Sequence, residues 1–587
     1  MKKQGKFFNS KLKKIVIILL GIIILISVIV LAYQSINRVK EDETEIQNSV
    51  NQAEGEIIIK ELSSGDFAVD INAKTISFEG EFFGGSYCIT SGDTPTLKDN
   101  WQTIESTSMY LALESSAEIA NIRVYYMAET VSNMSSYDAT ATVYTISTAD
   151  ELDLFAKQVN NGTTFEGKTV IVLDNITASS TLASIGTTSN YFKGVFNGNS
   201  YTITLTSSLI YGLFRNIENA TIKNVKVASE KSIGTEKTNN VGSIVGNAIN
   251  STIKNCTNEN IKVIGISNIG GIVGMTENVT ISNCNNKGAI QANYYAGGIV
   301  GKSINSFAID CKNSGNVVAT NAASVTLSIG GIIGLATDSS IKNCYNSAKV
   351  DAGSDTQIGG IVGTYDVGAE CQIYNCKNTG DINGESTVGG IIGGVGNTRG
   401  STTIEKLYIK YCTNEANITA TGNFNVGGIV GWTHEDCTNV EILNCKNSGT
   451  VMLSKSVVPV AGDCGGIVGD FGRGTIKYCI NTGDVINKVK RNTGGIIGHH
   501  EGTGSNILVD SCLNTGNLTE STSESTRDTV GIGGILGSTN VGTHGKSTTN
   551  ITITNCGNSG NVVQTAGNKN VRTEYLVYIM AHQVIVR

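Results

Sequence analysis

The sequence predicts an all-β protein wound as a right-handed parallel β-helix with three faces. A short N-terminal capping helix closes the helix, a small β-rich domain precedes it, and one N-terminal transmembrane helix starts the chain. Three observations predict this: a Gly-Gly-Ile-Val-Gly block repeated ten times, a Cys-x-Asn triplet answering each block, and an apolar run behind six lysines. A fixed period of this kind marks a stacked array in which each repeat touches only its neighbours.

The N-terminus comes first in chain order. Lys2, Lys3, Lys6, Lys11, Lys13 and Lys14 form a basic segment over residues 1–14, followed by an apolar run from Ile15 to Tyr33 that holds one serine. Nineteen residues (15–33) approach the length needed to span a hydrocarbon core and exceed a usual signal-peptide core. Lysines on one side, with Glu41, Asp42, Glu43 and Glu45 on the other, place the N-terminus in the cytoplasm and the body outside. Cleavage after Val30-Leu31-Ala32 would instead give a secreted protein. In both cases the body is exported. Residues 34–56 read as a charged stem.

Residues 57–140 contain β-type runs such as Thr75–Phe78 and Ile122–Tyr126, with turn signals at Gly84-Gly85 and Thr94-Pro95. A small β-rich domain without a recognisable motif is expected there. Residues 142–241 should hold the capping helix and the first coils. Thr148-Ala149-Asp150-Glu151 fits a capping box, and Leu152, Phe155, Ala156 and Val159 fall on one helical face. Asn161-Gly162 ends the helix. Its expected role is to cover the open edge of the first coil.

The repeats occupy residues 242–570. Blocks begin at Gly242 (as Gly-Ser), Gly270, Gly297, Gly330, Gly359, Gly389, Gly427, Gly465, Gly494 and Gly533. The answering cysteines run from Cys256 and Cys284 to Cys512 and Cys556, each with Asn two residues later, from Asn258 to Asn558. An aliphatic residue such as Ile281 lies three before the cysteine. Residues an odd number apart face opposite sides of a straight strand, so a corner is required between them. Glycine four after Cys (Gly288, Gly315) and an aliphatic residue two later (Ile290, Val317) suggest a further corner and strand, three strands per coil in all.

The shortest coil, Gly270 to Gly297, is 27 residues: 14 to Cys284 and 13 onward. Length varies only inside these two intervals, reaching 23 at Gly389–Cys412 and 21 at Cys512–Gly533. Such insertions become loops at fixed corners, and one decorated side is often the binding face. Specificity is therefore expected near 394–406, 454–462, 519–530 and 538–550. Residues 571–587 abandon the repeat as an atypical tail, so the chain could also be a non-catalytic part of a longer surface protein.

The ten repeat cysteines should stack as a reduced apolar column about 4.8 Å apart, since side chains on stacked parallel strands point the same way. Disulfide or thiol-metal columns are the alternatives. Cys371, Cys437 and Cys464 stand off the column and are better disulfide candidates. The Asn column reads as structural: stacked amides donate and accept along the axis.

The Gly-Ile-Val-Gly core, as in Gly271–Gly274, resembles the GLUG motif of bacterial surface proteins, with Ile where the motif has Leu. Residues Tyr144–Val227, with Phe165-Glu166-Gly167-Lys168-Thr169 and Gly194-Val195-Phe196-Asn197-Gly198-Asn199, are similar to the segment preceding such repeats. Together the resemblance covers about 420 residues, Tyr144 to Val562. It implies an adhesin-like β-helix; the repeat also occurs beside immunoglobulin-A metallopeptidase domains.

Enzyme chemistry finds little support in the sequence. His434-Glu435 and His500-Glu501 do not complete the His-Glu-x-x-His zinc motif. Asp310, Asp381, Asp484 and Asp510 fall at unequal repeat phases, so no carboxylate pair is expected. No catalytic, cofactor-binding or metal residue is assigned, and no cofactor. A net charge of −7 gives no basic footprint for nucleic acid. The expected partners are the membrane, through the N-terminal helix, and an extracellular glycan or host or matrix protein. The expected protein is a membrane-anchored surface rod rather than an enzyme, with an exported polysaccharide-active lyase or hydrolase as the alternative.

Overall fold

A computed structural model of the chain describes residues 59–565 and 584–586, apart from 71–74, 79–81, 83–84, 91–93, 100, 105, 107, 111–121, 320–326, 354–355, 367–369, 397–405, 423–424, 436, 438, 455–461, 490, 501–505, 522–530 and 540–549. Among the described residues no helix is long and apolar enough to cross a membrane. The predicted span 15–33, its basic flank and the stem lie outside them, as do most residues of the four expected specificity loops. The chain forms two compact units, Met1–Thr94 with Ile104–Ala128, and Pro95–Thr103 with Glu129–Arg587.

In the smaller unit Arg123–Met127 pairs antiparallel with Lys60–Glu61 on one side and Ser86–Thr90 on the other. A second antiparallel sheet joins Phe67–Asp70, Thr75–Phe78 and Ser108–Tyr110. Ile76, Phe78, Tyr87 and Val124 make its core, with the Phe78 and Tyr87 rings edge-on at 5.1 Å.

The larger unit is a parallel β-solenoid. Its longest sheet begins at Val131–Asn133, which lies parallel to Val143–Ile146. Helix α1 (Ala149–Asn160) follows. Thr148 caps it, accepting from the Glu151 N–H, while the Glu151 carboxylate accepts from the Thr148 N–H. Leu152, Phe155, Ala156 and Val159 are all buried, as the helical period predicts. Phe155 lies 5.0 to 5.7 Å from Phe165, Phe192 and Phe196, side chains filling the first coils. An aromatic plug thus closes the N-terminal end of the apolar interior, where a bare coil would expose it to water.

From Asn239 onward each coil carries five short strands, not the predicted three. In the second coil they are Ser267–Gly270, Val273–Glu277, Thr280–Ser282, Asn285–Asn286 and Ile290–Ala292. Each stacks in parallel on its counterpart in the next coil, within sheets of 10, 11, 16, 13 and 10 strands. The undercount has a physical origin. The first strand ends on glycine and the fourth is two residues long, so neither shows hydrophobic alternation. The interior is continuous and apolar, with Ile269, Ile272, Ile281, Cys284 and Ile290 at most 1 % exposed.

The expected corner between the aliphatic residue and the cysteine is present. The residue just before each cysteine is left-handed, with φ of 53° at Asn255, 50° at Asn283 and 50° at Asn375. Asparagine tolerates this conformation best among residues with a Cβ. These corner amides also bond coil to coil, Asn283 Nδ2 to Asn255 Oδ1 at 2.8 Å and Asn375 Nδ2 to Asn343 Oδ1 at 2.9 Å.

The Asn two after each cysteine is different: it is buried in the fourth strand. Its Nδ2 donates to the Oδ1 of the next Asn in an unbroken line from Asn258 to Asn558, at 2.6 to 2.9 Å. Each amide also bonds the backbone just after it: Asn258 pairs with Ile261, three residues on, and the others two residues on, as Asn286 donates to the Gly288 C=O and accepts from its N–H. This column explains the second glycine of the block. A Cβ at Gly360 would stand 2.4 Å from Asn378 Cγ and 2.2 Å from the Gly390 C=O. Glycine block and Cys-x-Asn are therefore two halves of one packing device.

No disulfide forms among the described residues, and all fourteen cysteines are buried thiols. The disulfide candidates Cys371, Cys437 and Cys464 do not pair. Cys371 is in register with Leu407 on a third strand, Cys464 with Val426 on a first strand, and Cys437 lies beyond a second strand, so three separate places are involved. At the C-terminal end Val584–Val586 pairs antiparallel with Ile551–Ile553.

Candidate functional site

The insertions locate the surface most open to specialisation. Segments 455–461 and 522–530 fall between a fifth strand and the next first strand; 397–405 and 540–549 fall between a second and a third. Both insertion corners therefore flank the first and second strands, which are joined by the glycine block. The outward positions on those strands are two residues before the block and five after its start.

These two positions form adjacent columns. One runs Ser328, Gln357, Thr387, Asn425, Asp463 and Asn492; the other runs Thr364, Gly394, Trp432, Asp470 and His499. The turn at the glycines brings the two columns together. Thr364 Oγ1 donates to Gln357 Oε1 at 2.6 Å and bonds the Ser328 hydroxyl, and Asn425 Nδ2 donates to Asp470 Oδ2 at 3.3 Å. In the first coils the same positions (Asn240, Asn247, Met275, Tyr295) are half-buried. From Ser328 onward most are buried, so a polar seam develops along the rod.

The seam becomes charged at one place. Asp463, Asp470 and His499 are 0 %, 2 % and 1 % exposed, and one donor atom from each lies within 4.8 Å of the others. His499 Nδ1 stands 3.4 Å from Asp470 Oδ1 and 3.7 Å from Asp463 Oδ2. Arg491 approaches Asp463 Oδ2 from the half-exposed side at 3.6 Å. Asp463 Oδ1 accepts from Asn492, from its N–H at 3.2 Å and from Nδ2 at 2.8 Å.

Burial pushes the Asp463 carboxyl up to about 6, with the neighbouring Asp470 adding to the rise against His499 and Arg491. Burial works against a charged His499, but the Asp470 and Asp463 carboxylates outweigh it and raise the imidazole above its usual value. His500, next along the strand, is lowered by burial and holds the Phe471 carbonyl at 2.6 Å through Nδ1.

The sequence candidates do not converge. Asp310 sits at a left-handed corner before Cys311. Asp381 and Asp484 accept backbone N–H groups of Asn417 and Asn517, and three coils, about 14 Å at strand spacing, separate them. Asp510 accepts from Thr554 Oγ1 and Asn555 Nδ2. His434 packs edge-on against Trp432 at 5.3 Å. The Asp463–Asp470–His499 group was not assigned from sequence. Its signal is the shared phase, two before and five after the glycine block, at which the residue type changes from coil to coil.

Comparison with known proteins adds the following. The GLUG motif matches residues 238–264 and 326–351, the first and fourth coils. No curated protein matches the sequence. A solved structure described as "IgA1 Protease" is similar at 14 % identity and a TM-score of 0.35. The match covers 69 % of this chain and 27 % of that one, and is too distant to bear on function. The chain thus carries the GLUG motif at two places within a parallel β-solenoid.

Proposed function

We propose that the chain is a membrane-anchored, extracellular bacterial rod that acts as an adhesin-like binding or surface-structural protein without catalysis. The observation that supports this is the division of labour within each coil. The repeated Gly, Cys and Asn are consumed in packing and in buried hydrogen bonds, whereas every insertion lies at one of two corners flanking the same pair of strands. Variable segments presented beside one seam of a rigid rod are the usual layout of a recognition surface on a solenoid. Anchoring rests on the apolar run 15–33 and the flanking charges.

The test is a glycan and host-matrix binding array with the exported portion, compared with a version whose segments 397–405, 455–461, 522–530 and 540–549 are replaced by short Gly-Ser links. Saturable binding lost in the trimmed protein supports the reading; binding that survives trimming moves recognition onto the repeats. Reporter fusions before residue 15 and after residue 33 test the topology. The proposal requires the second reporter, and not the first, to be exported.

A further inference from the structure

We propose that Asp463, Asp470 and His499 form a binding site for one divalent transition-metal ion, with Zn2+ the best-fitting member of the class. Four observations support it.

The first is spacing. His499 Nδ1 is 3.4 Å and 3.7 Å from the two carboxylate oxygens. Those distances are too long for direct N–H···O hydrogen bonds, whose donor–acceptor distances run about 2.7–3.2 Å. They match donors gathered around a tetrahedral ion: ligand bonds of about 2.1 Å place neighbouring donors about 3.4 Å apart.

The second is unmet bonding capacity. No hydrogen bond from the described residues reaches Asp463 Oδ2, His499 Nδ1 or Asn425 Oδ1, all on side chains more than nine-tenths buried. Buried polar atoms are otherwise almost always paired. Two of these atoms face each other within the triad, and the third belongs to the amide that bonds Asp470.

The third is the outer layer. Asn492 holds Asp463 by Oδ1 with two hydrogen bonds, which leaves Oδ2 turned toward His499. Asn425 Nδ2 donates to Asp470 Oδ2, and Asp470 Oδ1 lies 3.4 Å from the same imidazole nitrogen. Metal ligands are characteristically oriented in this way by hydrogen bonds to the atom that does not coordinate.

The fourth is charge and chemistry. Two carboxylates and an imidazole are buried together, with the Arg491 cation at 3.6 Å from the half-exposed side. A dication held between the two carboxylates would match their two negative charges, with Arg491 left toward solvent. One imidazole with two carboxylates suits Zn2+ and its neighbours better than Ca2+ or Mg2+, which take oxygen ligands only. Three protein ligands leave a fourth position for water or for a donor from a bound partner. Asp463 and Asp470 belong to one coil and His499 to the next. The ion would therefore clamp two successive coils.

The experiment uses the full chain, made without a polyhistidine tag and stripped with a chelator. Calorimetric titration with Zn2+ should give one ion per chain. Asp463→Asn and His499→Gln should each abolish that binding, Asn425→Ala should weaken it roughly 10–100-fold, and Asp484→Asn should leave it unchanged. Replacing Zn2+ by Co2+ in the unsubstituted protein should give visible d–d bands without the intense near-ultraviolet band of cobalt–thiolate bonding, which needs no variant to fold. Zn2+ should also raise the melting temperature of the unsubstituted protein, since a ligand for the native state stabilises it by mass action. Absence of binding, binding that survives both ligand substitutions, or a cobalt–thiolate band would overturn the proposal.

Discussion

Replacing Asn378 by alanine isolates the buried amide column. Asn378 donates to Asn414 Oδ1 at 2.9 Å and to the Gly380 carbonyl at 3.1 Å, and it accepts from Asn346 Nδ2 at 2.8 Å and from the Gly380 N–H at 3.3 Å. All of this lies at 0 % exposure. Truncation deprives four buried polar groups of a partner each. At the lower end of the usual cost, about 1 kcal/mol per group, the loss is about 4 kcal/mol. Asn375, three residues earlier, is the internal control. It also bonds the neighbouring coil, but it is exposed and left-handed. Asn375→Ala should cost about 1–2 kcal/mol, from the left-handed alanine, and Asn375→Gly less. The assay is hydrogen exchange on peptides spanning the fourth to sixth coils. A local loss of 4 kcal/mol corresponds to exchange faster by about a thousandfold. If Asn378→Ala speeds exchange no more than Asn375→Ala, the amide column is not what holds successive coils together.

Three further outcomes can be checked. Gly360→Ala should destabilise the same coils by at least about 1–3 kcal/mol, because the new methyl meets Asn378 Cγ at 2.4 Å and a backbone carbonyl at 2.2 Å; an unchanged urea midpoint would contradict the shared packing of glycine and asparagine. The fourteen cysteines should resist a thiol reagent in the native protein and react only on unfolding, since burial pushes thiols such as Cys284 and Cys376 up; rapid labelling of several native thiols would refute the column. For Asp510, burial opposes the charge, but hydrogen bonds from Thr554 and Asn555 outweigh it and lower its carboxyl. A carboxyl lowered in the fold contributes stability that is full above its unfolded value, about 3.9, and is lost as pH falls through the folded value. The contact of Asp510 with the last coil should thus loosen below about pH 4 and lose this dependence in Asp510→Asn, read by proteolysis of that coil.

Much of the fold was legible in the sequence, and the reasons are specific. The Cys and Asn columns could be read because identical residues recur at one phase, and the corner before Cys284 because Ile281 and Cys284 must both point inward. Helix α1 announced itself through Thr148, Glu151 and an apolar face. The five-strand coil was not legible, because a two-residue strand such as Asn285–Asn286 has no periodicity to detect. Nor was the charged seam. Asp463 and His499 are 36 residues apart and occupy different phases, and only the turn at the glycines together with the stacking of coils brings their side chains together. Local pattern reveals what repeats; a site made of exceptions to the repeat needs the geometry.

The line of buried amides has a consequence for how such a chain can change over generations. Every amide in it points the same way, and each accepts from the coil before as it donates to the coil after. One whole coil is thus interchangeable with another as far as its neighbours are concerned. In-frame gain or loss of a complete glycine-to-glycine unit would leave the line unbroken, whereas removing half a unit would set unlike strands against each other. The length of the rod is therefore a genetically adjustable quantity, counted in coils, while the plug at α1 and the sites at its corners stay as they are.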